Sequence, residues 1–188
     1  MKKLALSVLL LVSTAFAQPT PSVTENGVLN AASYARTGEA GFAVAPGSLV
    51  AIFGSDLASS LTSASSVPLS TSLAGVSVSF NNTAAPLQFV SPGQINAQLP
   101  WGTPSGTVSV VVTRDGRASA SRNLTVAQFS PGIFTVTGNG LGGAVAVNSD
   151  DGSVALPAGS VPGLNTRPAR IGGVIISMPT AWGRWIHP

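Results

Sequence analysis

Acid–base and nucleophilic chemistry has few carriers in this sequence. The 188 residues hold one histidine, His187, no cysteine, and six carboxylates: Glu25, Glu39, Asp56, Asp115, Asp150 and Asp151. A nucleophilic triad needs a base beside its hydroxyl, most often His, and His187 stands one residue from the end of the chain. Glycoside hydrolysis needs two carboxylates on either side of a bond. Asp115 belongs to the turn sequence Arg114-Asp115-Gly116-Arg117, Asp56 follows the apolar run that closes at Gly54-Ser55, and Glu25 and Glu39 have no acidic neighbour. No catalytic set can be assembled, and the expectation is a protein that is not an enzyme.

Metal and phosphate sites fare no better. Asn148-Ser149-Asp150-Asp151-Gly152 is the one cluster of oxygen donors. Calcium takes six or more oxygens, and this stretch lacks the spaced acids and distant Glu of an EF-hand, so a polar turn accounts for it. Without Cys there is no thiolate site. The run Gly138 to Gly143 lacks the Lys-Ser/Thr ending of a phosphate loop, and no helix follows it. No metal and no cofactor is expected. Binding is better served: Trp101 ends a segment in which Gln94, Asn96 and Gln98 alternate with Ile95, Ala97 and Leu99. An indole beside a row of amides is a stacking platform for a sugar. Alternatively Trp101 caps one end of a core, where Trp is commonly found. Trp101, Gln94, Asn96 and Gln98 form the candidate ligand-binding set. The patterns Asn81-Asn82-Thr83 and Asn123-Leu124-Thr125 match glycosylation acceptors, a weak signal.

The elements that must position these residues read as strands. Gly47 to Gly54 is short, apolar and closed by glycine at both ends. Val76, Val78 and Phe80 alternate with small residues. Pro86 to Val90 and Gln94 to Leu99 follow, and then a hairpin in which Val108 to Thr113 turns through Asp115-Gly116 and returns over Ala118 to Val126. Further strands are predicted at 132–136, 143–147 and 153–156. The Ser-rich stretch 58–72 is predicted as a loop, and 29–34 as a short helical turn. Phe53, Phe80, Phe89, Phe129, Ile133 and Phe134 are the expected large core residues. Short strands at intervals near ten residues, without amphipathic helices, predict an all-β antiparallel β-sandwich.

Charge and hydropathy give the chain an address. Charged residues make up 8% of the chain against 44% hydrophobic, which excludes a disordered polyampholyte and a coiled coil. Lys2-Lys3, the apolar run Leu4 to Val12 and Ala15-Phe16-Ala17 compose a signal peptide over 1–17. Cleavage after Ala17 removes both lysines from the nine basic residues and leaves seven Arg against six acids. That near-neutral balance excludes a basic nucleic-acid surface. The apolar run is shorter than the roughly 18–20 residues that span a bilayer, so no membrane span is expected after cleavage. The expected location is secreted, extracellular or periplasmic.

Five strings occur in order: GVLNAASYA at 27–35, APGSLVAIFGSDLA at 45–58, PLQFVSPGQINAQLPW at 86–101, FSPGIF at 129–134 and GSVPGLNTRPAR at 159–170. Together they resemble an uncharacterised C-terminal domain family of secreted proteins from Acidobacteria such as Solibacter, over about 27–170. PGSLVAIFGSDL is also similar to the opening strand of TIG-type immunoglobulin-like domains. The resemblance implies secretion and an immunoglobulin-like sandwich, and no established activity. With the residues before it, the chain reads as a signal peptide at 1–17, an extended lead-in at 18–27, a sandwich domain at 28–156 and the truncated start of a second repeat at 157–188. That repeat departs from the family pattern from about 171. One back-translation of Ser177 to Pro188, read in another frame, spells Tyr-Ala-Asp-Gly-Leu-Gly-Pro-Val-Asp-Pro-Pro, the continuation the resemblance predicts. A frameshift near 171–176 follows as an expectation, the alternative being a real extension that docks by its aromatics, and resequencing the gene tests it. Met178, Trp182, Arg184, Trp185 and His187 then carry no functional content, and the orphan strand in 157–176 would expose its edges and tend to pair. The expected function is a non-catalytic module for adhesion, extracellular assembly or an accessory role, with an extracellular protein or polysaccharide as partner. The alternative is a carbohydrate-binding module acting through Trp101 and its amide neighbours.

Overall fold

The structure, a computed structural model, describes residues 19–179. The predicted signal peptide lies outside the described residues, as do Trp182, Arg184, Trp185 and His187. The described residues form twelve strands and no helix. In chain order these are β1 (Ser22–Asn30), β2 (Leu49–Ser55), β3 (Thr62–Ser63), β4 (Val76–Phe80), β5 (Thr83–Ala84), β6 (Leu87–Val90), β7 (Gln94–Gln98), β8 (Gly106–Arg114), β9 (Arg117–Ala118), β10 (Arg122–Val126), β11 (Ala146–Asn148) and β12 (Ile175–Ser177).

Two sheets make the sandwich. One has the order β1-β2-β7-β6-β3; the other runs β10-β8-β4-β5, with β9 paired to β8. All strand pairs are antiparallel. The reason lies in the period of the apolar residues: Val76, Val78 and Phe80 on β4, and Val108, Val110 and Val112 on β8, recur every second position and all point inward. They meet Val50 and Ile52 of β2, Ile95 and Ala97 of β7 and Leu87 and Val90 of β6 in one cluster. Removing each such side chain from water contributes about 1.5–3 kcal/mol, enough in sum for a chain without disulfides to hold two layers together. Left-handed backbone at Asn81 and Asn82 (φ 45° and 66°) turns β4 into β5, and Asp115 and Gly116 (φ 47° and 78°) turn β8 into β9. Short polar residues and Gly tolerate that conformation, which the twist of a hairpin requires.

The immunoglobulin-like sandwich agrees with the strand pattern read from the sequence. Several details differ. β1 begins at Ser22, within the stretch read as a lead-in, and lies along β2. At 31–33 the chain makes a turn, closed by the Tyr34 N–H donating to the Asn30 carbonyl at 3.0 Å, and not a helix. Thr62–Ser63 inside the Ser-rich loop pairs with β6. Phe80 is buried, but Phe129 and Ile133 are exposed and no residue beyond Val126 joins the core cluster. Of the three later strands, 132–136 and 153–156 are reduced to isolated bridges, Ile133 with Pro179, Thr135 with Ala144, and Val154 with Val147 and Thr166. The third survives as β11, which pairs with β12 in a separate two-stranded sheet. The chain has left the two layers by then, and these segments lie outside the core cluster, largely half-buried, with Leu156 packed against Gly143.

Candidate functional site

β7 is the middle strand of the five-stranded sheet, so its two faces have opposite fates. Ile95 and Ala97 go into the core; Gln94, Asn96 and Gln98 lie half-buried on the outer face. The register of β2 against β7 sets Phe53 opposite Gln94, Ala51 opposite Asn96 and Leu49 opposite Gln98. On the other side, Phe89 of β6 is opposite Asn96. The result is a row of three amides between two half-buried phenylalanines. The Gln94 Nε2 donates to the Asn96 Oδ1 at 2.9 Å, which fixes both amides.

The four residues singled out in the sequence do not converge on one point. At a strand rise of about 3.3 Å per residue, Gln94 is about 13 Å from Gln98, and Trp101 is beyond that end. The Trp101 ring is 55% exposed, so it does not cap the core. It lies flat over Gly47, where a Cβ would fall 2.5 Å from a ring carbon. Gly47 has φ +82° and accepts from the Gln98 Nε2 at 3.1 Å. The turn holding the indole is closed by Thr103, whose hydroxyl donates to the Pro100 carbonyl at 2.7 Å. Pro46, Thr103, Pro104 and Gln128 complete a shallow hollow of about 240 Å³ beside Trp101. Gln98 and Trp101 thus mark one end of the face.

Gln94 marks the other end, which the sequence reading left without an aromatic partner. There a cleft of about 870 Å³ opens between Tyr34, Phe53 and Gln94 on one side and Gly138 to Leu141 on the other. The Tyr34 and Phe53 rings are tilted at 46° with centroids 6.1 Å apart. Glu39 is the one carboxylate among the residues lining it; its Oε2 accepts from the Arg36 N–H at 2.7 Å. Phe53 reads as core in the sequence because Leu49-Val50-Ala51-Ile52-Phe53 is apolar at every position, which hides which members face out, and Tyr34 falls in the stretch 29–34 that reads as a helical turn.

The four aspartates stand at structural positions. Asp56 has φ 55°, and its carbonyl accepts from the Arg114 guanidinium at 3.0 Å. Asp115 lies 3.5 Å from the Arg114 Nε. Asp150 and Asp151 take the two arms of Arg167, at 2.7 and 2.9 Å. The Arg167 hydrogen bond, then those from the Ser153 hydroxyl and amide, hold the Asp151 carboxyl far below the usual Asp range. The Arg167 guanidinium is correspondingly raised, chiefly by Asp151. This is the polar turn expected at 148–152, closed by the Gly152 N–H on the Asn148 carbonyl at 2.9 Å. Among the described residues no group of three or more His, Cys, Asp or Glu gathers as a metal site. Nor is there among them a helix long and apolar enough to cross a membrane.

Residues 39–129 match the IPT/TIG domain family. The match begins before β2 and ends after β10, so it spans both layers of the sandwich and the amide row of β7. IPT/TIG domains are immunoglobulin-like modules that generally serve interactions and not catalysis. A search of curated proteins found no match to the chain.

Proposed function

We propose that this chain is an exported, non-catalytic interaction module that engages an extracellular protein or polysaccharide through the outer face of its five-stranded sheet. Export is supported by the signal-peptide pattern at 1–17 and by the resemblance to secreted acidobacterial domains. The observation that carries the interaction reading is the face itself: Gln94, Asn96 and Gln98 in register between Phe53 and Phe89. Apolar plates with amides between them offer contact area and hydrogen bonds with little charge to desolvate. Adhesion, assembly and accessory roles all use such a surface.

The carbohydrate reading is favoured by one specific observation, the 55% exposure of Trp101 next to a fixed Gln98 amide. Co-sedimentation of the full chain with insoluble polysaccharides and with cell-envelope fragments tests the two together. Asn96→Lys plants a charge in the middle of the face, and binding to either material should fall while Thr125→Ala, on the opposite sheet, leaves it unchanged. Equal binding by Asn96→Lys and the parent would overturn the assignment of this face. Loss confined to polysaccharide with Trp101→Ala would select the carbohydrate reading.

A further inference from the structure

We infer that the cleft between Tyr34, Phe53, Gln94 and the Gly138–Leu141 loop is a binding site for a neutral oligosaccharide. The inference rests on the carbohydrate reading of this face but places the sugar at the opposite end from Trp101. The cleft's volume, about 870 Å³, falls in the range of about 300–1,000 Å³ usual for small-ligand sites.

A saccharide ring needs an apolar plate for its C–H face and both donors and acceptors at its rim, because each hydroxyl is both. The half-buried Tyr34 and Phe53 rings, tilted at 46°, supply the plate in the form of a wedge. Gln94 supplies the rim: one Nε2 hydrogen is spent on Asn96, which orients the amide, and its carbonyl oxygen and second N–H have no partner among the described residues. The Glu39 carboxylate adds an acceptor and the exposed Arg36 side chain a donor. A phosphorylated ligand is disfavoured by the loop across the cleft. Its Gly138 N–H donates to the Thr135 carbonyl, Gly140 to the Thr135 hydroxyl and Leu141 to the Asn139 side chain. Those amides are spent on the loop's own shape and are not free to cradle an anion. One carboxylate, without a second across the cleft, suits binding and not hydrolysis.

The loop's seat is specific. A Cβ on Gly140 would collide with the Ser33 carbonyl, at a residue with φ +79°. The far wall therefore lies directly against the turn that carries Tyr34, and the cleft's width is set by contact between the two.

Tyr34 is the sole tyrosine of the chain, so full-length protein labelled with 3-fluorotyrosine carries one fluorine reporter, inside the cleft. Titration with gluco-, xylo-, manno- and chito-hexaoses should shift that resonance for at least one sugar and leave it unmoved by inorganic phosphate. In isothermal titration with the same sugar, Tyr34→Ala and Gln94→Leu should each weaken binding by about tenfold, with Thr125→Ala, on the opposite sheet, near parental. Gln94→Leu keeps the side-chain size and serves if Tyr34→Ala fails to fold. A sugar that binds without moving the Tyr34 fluorine, or whose binding is lost only with Trp101→Ala, overturns the cleft and keeps the carbohydrate reading. Absence of binding by every sugar overturns both, and leaves the protein-interaction reading to its own test.

Discussion

Gly47 and Trp101 form a tight fit at one end of the outer face. The glycine sits at φ +82° with the indole lying where a side chain would be. Gly47→Ala therefore meets two costs, about 1–2 kcal/mol for a left-handed backbone and about 1–3 kcal/mol for displacing the ring. Trp101→Ala removes the second but not the first. The expected outcome in denaturant unfolding is that the double variant is less destabilised than the sum of the singles, the difference being the ring's share. Strict additivity would show that the indole does not rest on Gly47 in solution. At this scale the sequence was a good guide to chemistry and a poor one to placement. Gln94, Asn96 and Gln98 share a face because strand parity demands it. Whether Trp101 joined them or the core depended on the Pro100–Thr103 turn, which no periodicity encodes.

At the scale of elements, β11 is held by a buried side chain as well as by its ladder. The Asn148 Nδ2 donates to the Ser153 Oγ and to the Arg167 carbonyl, each at 3.0 Å, and Arg167 reaches back to Asp150 and Asp151. Because the folded Asp151 carboxyl titrates below its unfolded value, its contribution is complete above the ordinary Asp pKa, about 3.9. It is lost as pH falls through the lower folded value. Amide hydrogen exchange at Ser153, whose N–H donates to Asp151 at 2.9 Å, should accelerate relative to β8 amides as pH is lowered below about 4, once intrinsic rates are divided out. Asp151→Asn should abolish that difference in pH dependence, and if it does not, the carboxylate is not what closes the turn. The hairpins of the sandwich were legible as sequence: Asp115-Gly116 and Asn81-Asn82 are residues that accept positive φ. The segments after Val126 were not, because β-branched residues score as strand whether or not a partner waits for them.

The whole molecule divides into a two-layer core and an appended region that shares none of it. On β12, Ile175 and Ile176 point to opposite faces, and both are exposed, at 47% and 56%. β11 is half-buried and its Asn148 buried, but all three residues of β12 are exposed, and such a strand is a template for pairing. Phe80→Ala, in the core, should cost about 3–5 kcal/mol. Ile176→Lys should leave the unfolding midpoint near parental and lower concentration-dependent light scattering. If scattering of the full chain does not fall, the exposed strand is not the sticky surface.

What the sequence determined alone was the two-layer architecture, its turns and the scarcity of titratable groups, because period-two burial and positive-φ residues are local properties written into neighbouring positions. What the tertiary structure decided was the juxtaposition of Tyr34, Phe53 and Gln94 across three segments, and the separation of Trp101 from them. Those depend on which strands lie side by side and on where a distant loop comes to rest, and contacts between residues far apart in the chain leave no mark in local spacing.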